Sequence, residues 1–434
     1  MLIFLTGALP VSAADEVNLT LDEAIESALD HSFAVKAARY DSLAAFHEHR
    51  AVSAERFPTL SLEARTVYLS NLVEISSLPT PGAIEIGTKE TYQADIRLAV
   101  PLYTGGKLSN RIGLSDSELS ARGFDLESRR RTTAYYSRRS YLGLLLADAL
   151  VGAAEASLKR IRTIKNDVAN LYDNGLADSV DILDAELAHE KGRSMLLEKE
   201  TFRRNASQSL AVVTGYPINT VFKLSETIIE PEEVIEDYLT LEIDSASLER
   251  PEINALEARL TAADRMVAMT RGGYLPNLSA FVSYSAGKPN RNFFDAEFDD
   301  YFSIGAMLTW EFNLGLKTGR NIANARRKRD ALRMSRDQLH ESIYLAASMD
   351  FEELKHAYDV YRIALNEKNI TEHKFRLAKE KQQAGDLSVN RLVEMEAELT
   401  AAEEQYSASI INFYLSETEL LHSLGSSQIY GGLQ

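Results

Sequence analysis

Apolar positions in this chain follow two periods, and the change from one to the other happens twice. In TLSLEARTVYL, Leu60, Leu62, Ala64, Thr66 and Tyr68 share one face, while Ser61, Glu63 and Arg65 share the other. In TYQADIRLAV the split is Tyr92, Ala94, Ile96, Leu98 and Val100 against Gln93, Asp95 and Arg97. A second pair repeats it: Leu278, Ala280, Val282 and Tyr284 oppose Ser279, Ser283 and Ser285, and Phe302, Ile304, Ala306, Leu308 and Trp310 oppose Ser303, Gly305 and Thr309. Period two over about ten residues predicts strands, and suits a membrane strand with lipid on one side and water on the other. It suits a half-buried soluble sheet as well. Four strands cannot close on themselves, since even small barrels need about eight. A barrel would have to be shared between chains.

After each strand pair the period becomes helical. From Lys107 to Tyr172 there is no proline, and along this stretch Leu144, Ala147, Val151, Ala154, Leu158 and Ile161, then Ile164, Val168 and Leu171, step by threes and fours. That spacing predicts a coiled-coil seam on a helix of about 100 Å at ~1.5 Å per residue. The helix turns back at YDNGLADSVDILDAE (172–186) and its counterpart at QQAGDLSVNRLVEME (382–396), where a glycine permits reversal.

The two halves are copies. Gly105, Lys107 and Ile112 reappear as Gly315, Lys317 and Ile322, and the shift of 210 holds through Gly175 and Gly385 to Gly215 and Gly425. Upstream, Pro58 pairs with Pro276, so eight extra residues fall in the first strand connection, a loop rich in Pro, Gly and Asn of the kind that absorbs insertions. The expected organisation is a signal over 1–14, a first repeat over 15–216 with a strand hairpin near 59–102, and a linking segment over 217–245 on the outside of the helices. A second repeat over 246–425, with a hairpin near 277–313, and a tail over 426–434 complete it.

Composition narrows the function. A net charge of −17 argues against a nucleic-acid surface. The basic runs RRRTTAYYSRR (129–139) and RRKRDALRMSR (326–336) are read as solvated helix faces. Cysteine is absent, which removes disulfides, thiolate metal sites and a Cys nucleophile. His47 and His49 fall on different helix faces, and no Ser-His-Asp or zinc-protease pattern is present, so no catalytic residue, metal or cofactor is expected. MLIFLTGALPVSAADE ends its apolar run in small residues suited to cleavage before Asp15, and no other run approaches the ~18 apolar residues of a membrane helix.

The PLYTGG strand-to-helix turn (Pro101, Gly105, Gly106, with Gly315 in the second copy) and the GLADSVDILDAE tip, set in two hairpin-plus-long-helix halves behind a signal, resemble the TolC family of outer-membrane efflux channels. The second turn, with Asn313, Leu314 and Leu316 around a lone Gly315, departs from the family pattern, and a tighter or bulged turn is expected there.

The resemblance implies a mixed α+β membrane protein in the bacterial outer membrane: a homotrimer in which each chain gives four strands to one transmembrane barrel, continued by a coiled-coil helical tunnel through the periplasm. It implies a passive duct of a tripartite efflux or type I secretion system, joined to an inner-membrane pump by a periplasmic adaptor and surrounded by outer-membrane lipid. It also implies acids six and nine residues after each tip glycine: here Asp181 and Asp184, then Arg391 and Glu394. These four would line the pore constriction: Arg391 replaces an acid, and is expected to pair with Asp181 or Asp184 across the periplasmic entrance while Glu394 and the remaining carboxylate form an anionic ring. The tip residues Gly175, Leu176, Ser179, Gly385, Leu387 and Ser388 resemble the surface that receives the adaptor. The alternative is a periplasmic coiled-coil scaffold or adaptor without a barrel.

Overall fold

The computed structural model describes residues 16–75, 84–225, 230–239, 250–291, 297–312 and 314–431. The expected signal over 1–14 and Asn313 lie outside these residues.

In chain order the elements are β1 (Glu16–Leu19), α1 (Leu21–His31), α2 (Phe33–Ala54), β2 (Thr59–Tyr68), β3 (Val73–Ile75), β4 (Ile84–Ile86), β5 (Glu90–Tyr103), α3 (Lys107–Asp173) and α4 (Ser179–Thr214). They continue with β6 (Val221–Leu224), α5 (Pro231–Leu239), α6 (Pro251–Arg271), β7 (Asn277–Lys288), β8 (Asp299–Thr309), α7 (Lys317–Gln383) and α8 (Val389–Leu424). Helices α3 and α7 have 67 residues each, and α4 and α8 have 36 each. Every bound of the first pair recurs 210 residues later in the second. The glycines explain the stops. Gly175, Gly215, Gly385 and Gly425 all adopt left-handed backbone, the conformation that ends a helix at little cost only in glycine.

Contacts divide the chain into two compact units that do not follow the repeats. One holds residues 40–123 and 254–336, and contains the sheet. Its four strands run in the order β2-β5-β7-β8, each antiparallel to the next, with β2 and β8 at the edges. The registers Leu62↔Ile96, Ile96↔Tyr284 and Tyr284↔Phe302 place all the even-numbered apolar residues on one face. The odd-numbered face carries Glu63, Asp95 and Ser285 in one row and Ser61, Arg97, Ser283 and Ser303 in the next.

The other unit holds the residues up to 39, 124–253 and 337 onward. Here β1 lies parallel to β6, a pairing with no alternation to announce it. Thr20 and Glu23 close a capping box at the start of α1, and Leu19, Leu21 and Phe222 are buried with Tyr141, Leu144 and Leu210. The linking segment joins the core of this unit: Val234 and Ile235 of α5 pack with Leu354, Tyr361 and Phe413.

Two expectations are corrected here. The run 129–139 is not a solvated face throughout, because Arg138 is 1% exposed. Its guanidinium donates to Glu417 (2.9 Å), Thr418 Oγ1 (3.1 Å) and the Gly431 carbonyl (2.9 Å). Burial pushes the Glu417 carboxyl above its ordinary pKa, with Arg138 and the Tyr238 hydroxyl pulling it back. The second correction concerns hydropathy. Helix α3 contains an 18-residue window of mean hydropathy 1.4, apolar enough by composition to cross a membrane. Tyr141, Leu142, Leu144 and Ala147 of that helix are fully buried in the packing of the unit, which accounts for part of the apolar run, a third of the window being buried.

Candidate functional site

Three features of the repeat are candidates for function: the two faces of the sheet, the turns that lead out of it, and the helical tips.

The even-numbered face of the sheet has no cover in the single chain. Leu62 is 73% exposed and Ile304 76%, whereas the buried leucines of the helical unit are near zero. Exposing Leu60, Leu62, Leu98, Phe302, Ile304 and Leu308 together to water is unfavourable at about 25 cal/mol per Å², so this face is built for an apolar environment. The other face is hydroxylic and charged. Ser285 Oγ donates to Asp95 Oδ1 at 2.5 Å, and the Ser283 and Ser303 hydroxyls share a bond of 2.8 Å across β7 and β8.

At the first turn Gly105 (φ 64°) and Gly106 (φ 77°) are both left-handed, and Thr104 caps α3 by accepting from the Leu108 N–H at 3.1 Å. Pro101 is not part of the turn. It lies in β5 opposite Ser279, where the register shifts before Tyr103, and a residue without an N–H is tolerated at such an irregularity. In the second copy the left-handed residue is Leu316 (φ 57°), which aligns with Gly106, and not Gly315. A branched side chain in that region is strained.

The tips are Schellman turns. At the first, the Leu176 N–H reaches the Leu171 carbonyl and the Gly175 N–H the Tyr172 carbonyl, both at 2.9 Å. At the second, Asp386 reaches Lys381 (2.9 Å) and Gly385 reaches Gln382 (3.0 Å). No atom lies within 4 Å of a Cβ built on either glycine, so both present open backbone. Leu176 is 75% exposed, but Leu387 packs against the cluster of Ala378, Val389 and Leu392. The cap of α4 is Asp178, not Ser179: its carboxylate accepts from the Val180 and Asp181 N–H groups, and Asp181 returns a bond to the Asp178 N–H. Ser388 is the matching cap of α8. The pattern Asp178-x-x-Asp181 is a capping-box signal in the sequence, which the tip reading passed over.

Within the chain the tip charges pair locally. Arg391 Nη1 binds Glu394 Oε2 at 2.5 Å, one turn away on its own helix, and both are half exposed. Asp181 is engaged by the helix end, and Asp184 forms no ion pair among the described residues. Within one chain, then, Arg391 does not meet Asp181 or Asp184, because a partner three residues along the same helix face is nearer than one on another hairpin. Higher up, Glu396 (2% exposed) accepts from Ser157 (2.8 Å), Thr400 (2.8 Å) and Arg160 (3.2 Å), tying α8 to α3. Among the described residues no group of three or more His, Asp or Glu side chains is placed to hold a metal.

A family model described as outer membrane efflux protein matches residues 24–216 and 243–426. An uncharacterized protein of Haemophilus influenzae is 22% identical over 235 residues, 51% of this chain, and the chain spans about half (52%) of that curated relative. Among solved structures, CusC aligns with a TM-score of 0.79 at 16% identity, covering 96% of both chains. VceC of Vibrio cholerae aligns at 0.77 and 17%, covering 95% of this chain and 97% of its own. The CmeC outer membrane channel of Campylobacter jejuni aligns at 0.75 and 16%, covering 96% and 90%. Identities this low speak for a shared fold.

Proposed function

The chain belongs to the outer membrane efflux protein family and is a protein of the bacterial outer membrane, and from this we propose that it is the passive duct of a tripartite export machine. The observation that carries the proposal is the four-stranded sheet with an exposed apolar face and two free edges, β2 and β8. A sheet of four cannot close, but three copies would join edge to edge into one barrel, with the even-numbered face toward lipid and the odd-numbered face toward water. The paired long helices α3 with α4 and α7 with α8 would continue this barrel as a periplasmic tunnel.

The tips would form the periplasmic entrance. Open glycine backbone at Gly175 and Gly385, with Leu176, Ser179, Leu387 and Ser388 beside it, suits close approach by the helical ends of an adaptor, which would connect the duct to an inner-membrane pump. Asp181, Asp184, Arg391 and Glu394 would set the charge of the entrance, with any pairing of Arg391 to an aspartate made between chains. Both efflux and type I secretion fit such a duct, since the pump selects the cargo.

The test is single-channel recording of the purified, sized protein in a planar bilayer. Stable channels from a trimer-sized species are expected. A protein that stays in water and never inserts would support a periplasmic scaffold instead.

A further inference from the structure

On the polar face of the sheet, Phe281 stands in a row with Thr59, Ala99 and Gly305. The next row offers Ser61, Arg97, Ser283 and Ser303, and the one beyond it Glu63, Asp95, Ser285 and Tyr301. Phe281 sets an apolar ring beside this run of hydroxyls and charges. It is half-buried there, although the apolar residues of the opposite face are largely exposed.

What covers it is on the same face. The ring leans over its register partner: a Cβ built on Gly305 would lie 2.9 Å from Phe281 Cζ and 3.1 Å from Cε1, closer than side chains come. Arg97 caps the ring, with Cζ 4.3 Å from the ring centroid. No carboxylate of the described residues forms an ion pair with Arg97, so the stack on Phe281 is what holds the guanidinium. The backbone does not require the glycine, because Gly305 sits within β8 and is not left-handed. It is needed for room.

We propose that Gly305 is a recess built for the Phe281 ring, and that Gly305, Phe281 and Arg97 together set the bore and permeability of the channel through the barrel strands. The inference rests on the reading above, in which three sheets close with this face inward. With the ring laid back on Gly305, the row takes up little of the lumen. A phenyl ring has two side-chain torsions, backbone beneath it and a guanidinium against it. Any side chain at position 305 therefore drives ring and guanidinium together into the water-filled space, where bulk and charge control passage.

The experiment is single-channel conductance of the full-length protein with Gly305→Ala, Gly305→Val, Phe281→Ala and the double change Gly305→Val with Phe281→Ala, alongside the size of the assembled species. Gly305→Val is expected to lower conductance about two-fold, Gly305→Ala less, and the double change to restore it. Should Gly305→Val fail to assemble, recovery of assembly and conductance in the double variant shows the same steric coupling. Wild-type conductance in both Gly305 variants, or an undiminished deficit in the assembled double variant, overturns the inference. A wild-type protein that never opens a channel overturns the barrel reading first, which separates the two failures.

Discussion

Gly105 and Gly272 meet back to back: a Cβ on Gly105 would stand 2.9 Å from the Gly272 carbonyl oxygen, and one on Gly272 would stand 2.6 Å from that of Gly105. The turn that ends β5 is therefore seated directly on the end of α6, with no side chain between them. Gly105→Ala adds a clash of 2.7 Å with Leu275 Cβ to the strain of φ 64°, and should cost on the order of 2–3 kcal/mol. Gly106→Ala, whose nearest neighbour is the flexible end of Asn110 at 3.5 Å, should cost about 1 kcal/mol. Denaturant midpoints of the two variants decide this, and equal losses would show that conformation alone matters.

The second copy offers the converse change. Leu316 holds φ 57° with its side chain 68% exposed, so it carries backbone strain and buries little. Leu316→Gly should stabilise the protein by about 0.5–1 kcal/mol, the relief of strain exceeding the added freedom of the unfolded chain. A lowered midpoint would mean that the leucine is held by contacts of the assembled state.

The buried pair Arg138–Glu417 should behave asymmetrically. Glu417→Ala strands a guanidinium that is 1% exposed, at a cost of about 3–5 kcal/mol. Arg138→Met combined with Glu417→Met should lose far less than the single changes summed. A double-mutant cycle on unfolding free energy measures it, and additivity would deny the coupling.

Stability should depend on pH through His422. Burial, aided by Arg250 and Arg131 and opposed by Glu252 and Glu419, holds its imidazole below the ordinary 6.5, where it stacks on Tyr135 at 4.5 Å. The unfolded chain then binds the proton more readily, so this contribution is complete above about pH 6.5 and is lost as pH falls toward the folded value. His422→Asn should flatten the fall in unfolding free energy between pH 7 and 5. An unchanged slope would assign it to carboxylates.

At the tips, Arg391→Ala removes the only ion pair Glu394 makes among the described residues and should raise the preference for cations over anions. Glu394→Gln should lower it. Reversal potentials in a salt gradient measure both, and two silent changes would place these residues away from the ion path.

The strands and long helices were legible because each periodicity repeats within one element: Leu60 to Tyr68 and Phe302 to Leu308 alternate where β2 and β8 lie, and α7 repeats α3 at a shift of 210. What escaped depends on residues distant in the chain. Four-residue strands cannot show a period, so β1 and β6 were invisible as a pair. Arg138 looks solvated within a run of arginines, since its acid lies 279 residues on. At the tip, Arg391 has a partner one turn off on its own helix, and the pairing expected across the entrance would be made between chains. Leu316 at the glycine position was not foreseeable, because aligning Gly315 with Gly105 hides that the left-handed residue is the next one.

The two edge strands β2 and β8, each paired on one side only, make completion of this fold a matter of mass action. A lone chain presents free backbone donors and acceptors along both edges, and these will pair with whichever strand arrives first. Newly exported chains at low density are thus exposed longest to mispairing. Their survival is a race between finding their own copies and finding anything else.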